Sequence, residues 1–267
     1  MGKLIIAVLC LMSSAAKAQT ADTIYTKHSL VDGSDAALAA GFAVATGIAA
    51  PGDRWVTRQL QDDARQANRL YNRGATVFKL FGHPGSTVAG GGLYAGGLLA
   101  GDRRVEDLGL HSLESVLVSE AITGVVKIVA GRARPFASPD NARNFKFFRG
   151  WRNDDFQSFP SGHATAAFAL ASTVTAETSL WWNDSRWIVG PIMYGAATLT
   201  GVSRIYNNRH WASDVIAGAA IGTLTGIKIF RFQHSHPDNW LDRKFLRAGV
   251  SVSNNGTIAP IISMVRK

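Results

Sequence analysis

Three short stretches of this sequence set cationic and imidazole side chains at spacings that suit helices. In the first, six residues separate Lys127 from Arg134-Pro135. Seven positions are about two helical turns, which would put Lys127 and Arg134 on one face. Pro135 disfavours helical geometry at Arg134, so one cation belongs to a helix and the other to its exit. In the second, Pro160-Ser161-Gly162-His163 stands directly before an apolar, alanine-rich run. A helix starting near His163 would place Ser161 at or near the N-cap and turn free backbone N–H groups outward. Such a terminus, with a hydroxyl and a glycine that admits an anion, can hold a phosphate group. An ordinary serine cap beside an exposed histidine would read the same. In the third, Ser203-Arg204 precede His210 and Asp214. On a helix the last two are one turn apart, so the carboxylate can keep one imidazole nitrogen as N–H and leave the other free as a nucleophile. Taken singly each stretch is weak, because cations near a helix end often do no more than solvate its carbonyls.

In order, the three stretches read K-x6-R-P, P-S-G-H and S-R-x5-H-x3-D. That order and spacing resemble the type 2 phosphatidic acid phosphatase superfamily, which also includes bacterial non-specific acid phosphatases and vanadium haloperoxidases. The resemblance runs from Lys127 to Asp214 and, through the helical pattern, over most of Asp35 to Phe230. It implies an all-α helical bundle and a metal-independent phosphatase acting through a phosphohistidine. His210 would attack phosphorus in line, with Asp214 orienting its ring. His163 would protonate the leaving oxygen and later take a proton from water. Lys127, Arg134 and Arg204, with the Ser161 hydroxyl and the Gly162 N–H, would hold the non-bridging oxygens. No cofactor and no catalytic metal are implied, since three cations can replace a metal.

The elements that must position these residues are helical. An alanine-rich helix is expected over Asp35 to Ala50, capped by Ser34 or Asp35 and ended by Pro51-Gly52, then a charged amphipathic helix over Arg54 to Leu70. Ser86 to Ala100 is small and apolar, and Val105 to Val129 is the longest helical pattern. After a loop over Arg132 to Pro160, three more helices are expected near 163–178, 187–202 and 211–230. Beyond residue 240 the pattern alternates around Asn255-Gly256, which predicts a β-hairpin within 241–267.

The first eighteen residues read as a secretory leader. Lys3 supplies the charge, Leu4 to Met12 the apolar stretch and Ala16-Lys17-Ala18 the cleavage signature. The apolar stretch is too short to span a bilayer, which takes about 20 residues. The expected domain thus covers 19–240 and belongs to an exported protein of the periplasm or cell envelope. The only cysteine, Cys10, falls inside the leader, so the mature chain can form no disulfide.

The chain of 267 residues carries a formal charge of +9, of which Lys3 and Lys17 leave with the leader. The remaining excess favours anionic partners such as phosphate esters or lipid headgroups. Charge-free runs at Ala36 to Gly52, Leu80 to Gly101 and Trp187 to Ser203 are diluted by small residues. Membrane helices would look the same at this level, but the dilution points to the buried helices of a soluble or peripherally attached exported protein.

The basic and aromatic stretch Asn144 to Arg152 reads either as a substrate lid touching a membrane surface or as a loop anchoring its aromatics on the core; nucleic-acid stacking is a third reading of it. Glu120, seven residues before Lys127, could pair with that lysine. His83, His111, His234 and His236 have no carboxylate or cysteine at ligand spacing and read as structural or solvent-exposed.

The expected partner is a phosphorylated small molecule or lipid, with membrane surface contact and no nucleic acid. The alternative is a haloperoxidase, in which the same pocket would hold vanadate on His210 as cofactor. In the phosphatase, vanadate would be an inhibitor.

Overall fold

The computed structural model describes residues 32–236 and 239–245, and the backbone of two strands beyond them. The described residues are all-α up to those strands. Helix α1 (Gly33–Ala49) begins at Asp32, whose carboxylate accepts from the Ser34 and Asp35 N–H groups, and it passes through a 3-10 turn at Ala50–Gly52 into α2 (Asp53–Leu60). The expected single helix from Arg54 to Leu70 is instead broken twice. Asp62 caps α3 (Asp63–Gln66) and Asn68 caps α4 (Arg69–Phe81), because short polar side chains satisfy the exposed N–H groups better than a continued helix would.

Helices α5 (Gly85–Ala100) and α6 (Arg103–Ala130) form an antiparallel pair, with Asp102 capping α6 at its start. At its other end the chain turns at Gly131, whose φ of 53° lies in the left-handed region. That turn carries the backbone out into a long loop, where 3-10 turns form at Arg149–Trp151 and Asp154–Phe156. Helices α7 (Gly162–Trp181), α8 (Ser185–Tyr206) and α9 (Ala212–Ser235) follow.

Helix α7 is the axis of the bundle. Its Ala164, Ala166, Ala167, Phe168, Ala169, Leu170 and Ala171 are all buried, and α6, α8 and α9 pack around it. Small residues let the backbones approach closely. A Cβ at Gly222 of α9 would stand 2.2 Å from the Thr165 carbonyl oxygen, so α7 and α9 touch main chain to main chain only because that position is glycine.

The outward faces are apolar. Leu117, Ile122 and Val125 on α6 and Trp187, Ile192 and Leu199 on α8 are exposed. The stretches Gly33–Leu60 and Ala212–Ser235 are long and apolar enough to cross a membrane.

Beyond α9 a short helix, α10 (Trp240–Phe245), occupies the start of the segment expected to be purely hairpin. Strands β1 (Ala248–Val252) and β2 (Ile258–Ile262) pair antiparallel, with Val250 opposite Pro260. The Asn255-Gly256 turn and the leader lie outside the described residues.

Candidate active site

The loop geometry and four helix ends bring all the motif residues to one end of the bundle. Lys127 sits in the last turn of α6, Ser161 caps α7, Arg204 lies in the last turn of α8 and Asp214 in the first turn of α9. Arg134 and His210 come from loops beside them. Lys127, Arg134, Arg204, His163 and His210 are near enough to act on one another's charges.

His210 is 3% exposed, and its Nδ1 lies 2.7 Å from the Ser158 carbonyl oxygen. A carbonyl can only accept, so Nδ1 carries the proton and Nε2 is left with its lone pair. This corrects the sequence-based expectation of a direct carboxylate contact: Asp214 Oδ2 stands 3.8 Å from Nδ1. His210 precedes α9 rather than sharing the helix, which is why the one-turn spacing does not bring the two groups into hydrogen-bond contact. Burial, aided by the charges of Lys127 and Arg134, pushes the His210 imidazole down to about 3 against the pull of Asp214.

Asp214 is held from several sides. Its Oδ2 accepts from Ser158 Oγ at 2.5 Å and from the Trp211 N–H at 2.8 Å, and its Oδ1 accepts from Arg132 at 2.5 Å. Arg132 also donates to Asp53 Oδ2 at 2.7 Å, and Asp53 in turn accepts from the Ser213 N–H and hydroxyl. The sequence reading missed Arg132, Asp53, Ser158 and Ser213. Arg132 lies only two places before Arg134, but nothing local ties it to Asp53 in α2.

The remaining cations are set in polar surroundings. Lys127 Nζ donates to the Gln157 carbonyl at 2.6 Å. Arg134, buried, donates to the Asp154 carboxylate at 2.7 Å and to the Asp154 carbonyl at 2.8 Å. Arg204 is buried with no hydrogen-bond partner for its Nε. Ser161 Oγ accepts from the Ala164 N–H at a long 3.5 Å, which leaves its hydroxyl proton free for another acceptor.

His83, His111, His234 and Glu120 depart from the sequence reading, whereas His236 keeps to it. Glu120 pairs with His83 Nδ1 at 2.9 Å and not with Lys127. The His83 ring lies 6.3 Å from that of His163, beside the candidate site. His111 and His234 meet a carboxylate distant in sequence, Glu177, and His236 contacts Ser235 Oγ at 2.9 Å. In the loop, Phe147, Phe148 and Trp151 are 73%, 66% and 71% exposed and stand off the core, while Phe145 packs against Phe159 and the buried Arg132 guanidinium.

The sequence and the helical fold are matched by known proteins. Residues 108–237 fit the family model of the PAP2 superfamily. The matched segment contains every motif position and belongs to that superfamily. A lipid A 1-phosphatase of Porphyromonas gingivalis is 49% identical over 72 residues, 26% of this chain and 15% of that protein. A probable lipid phosphate phosphatase beta of Arabidopsis thaliana is 31% identical over 140 residues, 45% of this chain and 63% of that protein. The chain therefore spans less than two thirds of the length of either relative. In fold it is similar to a transmembrane PAP2 type phosphatidylglycerolphosphate phosphatase from Bacillus subtilis, with a TM-score of 0.56 and 19% identity, covering 73% of this chain and 95% of that one.

Proposed function

We propose that this protein is a membrane-embedded phosphatase that hydrolyses lipid phosphates through a phosphohistidine at His210. The observation that carries this reading is the buried His210, its Nδ1 proton given to the Ser158 carbonyl and its ring within the influence of the Lys127 and Arg134 charges.

Nε2 attacks phosphorus in line, and the bond from phosphorus to the leaving oxygen breaks as the new P–N bond forms. His163 at the start of α7, protonated once the negative charge of the phosphate group is bound beside it, gives that oxygen its proton. Water then attacks the phosphohistidine, His163 takes a proton back, and phosphate leaves with His210 restored. Through both steps the three cations, the Ser161 hydroxyl and the Gly162 N–H hold the charge on the non-bridging oxygens. Asp214 stabilises the imidazolium that develops.

A lipid substrate is favoured by the surface around the cup. Phe147, Phe148 and Trp151 are exposed at its mouth, while Trp181, Trp182, Trp187 and Trp240 are exposed at the opposite end of the bundle. The 20 residues of α7 that separate these aromatic groups span about 30 Å. That equals the hydrocarbon thickness of a bilayer, and aromatic side chains favour its two interfaces. The named relatives that act on lipid phosphates, a lipid A 1-phosphatase among them, support the same substrate class.

The test is to extract the full chain in detergent and compare turnover of a lipid phosphate in mixed micelles with that of p-nitrophenyl phosphate. A much higher kcat/KM on the lipid is expected. Equal or better turnover of the soluble ester would remove the lipid assignment, and no phosphate release from either would remove the hydrolase reading.

A further inference from the structure

At the end of the bundle away from the phosphate cup, four helices converge on a buried cluster of imidazoles and carboxylates. His111 comes from α6, Glu177 from α7, His234 from α9 and Asp242 from α10. His111 Nδ1 lies 2.6 Å from Glu177 Oε1, and His234 Nε2 lies 2.9 Å and 3.1 Å from Glu177 Oε1 and Oε2. One ligand atom from each of these three residues can be chosen so that all lie within 4.8 Å of one another. His111 and Glu177 are each 2% exposed.

The far side of the His111 ring adds a second observation. Its Nε2 is 3.5 Å from Asp242 Oδ1, and neither of these buried atoms makes a hydrogen bond. Among the described residues, Glu177 and Asp242 have imidazoles for partners in their ion pairs, not lysine or arginine. Buried carboxylates need positive charge. Two imidazolium rings could supply it, but the His111 and His234 centroids are 5.5 Å apart, and like charges at that separation repel.

A divalent cation resolves both problems. It would take the lone pairs of His111 Nδ1 and His234 Nε2 and the Glu177 carboxylate, which leaves both imidazoles neutral. The His111 proton must then sit on Nε2, facing Asp242, an arrangement in which metal-bound histidines are commonly held by a carboxylate. Two imidazoles and one carboxylate from rigid helices suit zinc, with water or a second Glu177 oxygen completing the coordination.

We infer that His111, Glu177 and His234 form a zinc site that clamps α6, α7 and α9 together, with Asp242 tying α10 to it. His111 and Lys127 lie on the same helix sixteen positions apart, about 24 Å, so this metal takes no part in phosphoryl transfer.

The test uses the full chain purified in detergent without chelator. About one zinc per chain is expected by elemental mass spectrometry, and a folded His234→Gln variant should hold none. Because His163 and His210 offer another imidazole pair, zinc uptake unchanged in folded His234→Gln overturns the assignment. If that variant does not fold, the wild type decides. After stripping by chelator its Tm should fall by several degrees and return on adding one equivalent of zinc; a Tm indifferent to both steps overturns it.

Discussion

The His210 Nδ1 proton goes to the Ser158 carbonyl, 2.7 Å away, while Asp214 Oδ2 is held back at 3.8 Å. The main chain, rather than the carboxylate, fixes the tautomer. In a serine-protease triad, replacing the aspartate with asparagine costs about 10⁴-fold through the wrong tautomer. Here Asp214→Asn should cost less, about 10- to 100-fold in kcat, because the Ser158 carbonyl still selects the proton on Nδ1. His210→Ala should abolish turnover in a folded chain. Steady-state kinetics on both variants would check this, and a near-normal rate for His210→Ala would remove the nucleophile.

The depressed His210 imidazole has a consequence for acid stability. Held near 3 in the folded chain, against an ordinary 6.5, it stays neutral when folded, while the unfolded chain takes up its proton below about pH 6.5. Between those values the unfolded chain binds the extra proton, so this contribution is complete above pH 6.5 and is lost as pH falls toward 3. The slope approaches about 1.4 kcal/mol per pH unit. His210→Asn should therefore lose less Tm than the wild type between about pH 7 and about pH 4. Parallel curves for the two proteins would show that the imidazole is not held neutral.

How far the sequence discloses this chemistry depends on how local each relationship is. Ser161 as the cap of α7 and the cation at the end of α6 follow from neighbours within a turn, and both were legible. The Arg132 contacts were not. Its partners Asp53 and Asp214 lie 79 and 82 positions away, and no periodicity encodes such a meeting. The same holds for His111 and Glu177, 66 positions apart, each of which alone reads as an ordinary helix residue. The breaks at Asp62 and Asn68 were missed for a different reason. The charged amphipathic pattern of Arg54 to Leu70 continues through them, and only the capping chemistry of two short side chains interrupts it.

Arg132 should matter to folding before it matters to rate. It is 3% exposed and bridges Asp53 and Asp214, both fully buried. Removing one partner of such a buried network leaves uncompensated charge, at a cost of about 3–5 kcal/mol. Arg132→Leu should lower Tm sharply, and Asp53→Asn in the same chain should restore part of the loss, since the two changes share one interaction. Additive effects on Tm would argue that the bridge contributes little.

Arg134, by contrast, should matter more to substrate than to folding. Its carboxylate partner Asp154 is 58% exposed at the side chain, so water can solvate Asp154 when the arginine is gone. Arg134→Ala should reduce kcat/KM by about 100-fold or more through the lost charge on the non-bridging oxygens, with a much smaller fall in Tm than Arg132→Leu. Reversal of that order would mean that Arg134 is structural and Arg132 faces the substrate.

Gly162 separates a requirement of packing from a requirement of ligand binding. A Cβ there would meet Lys127 Cε at 3.8 Å and Thr123 Cγ2 at 3.9 Å, ordinary van der Waals contacts that displace nothing. Gly222 is the contrasting case, where any side chain would collide with the Thr165 carbonyl. If Gly162 were needed only for folding, alanine would be harmless at that position. If an anion lies against its N–H at the start of α7, a methyl group crowds the approach and weakens the hold on the transition state. Gly162→Ala should therefore keep the wild-type Tm, or gain slightly from helix propensity. It should lose about 10-fold or more in kcat/KM and bind vanadate less tightly. Unaltered kinetics and vanadate inhibition in that variant would place the phosphoryl group elsewhere in the cup.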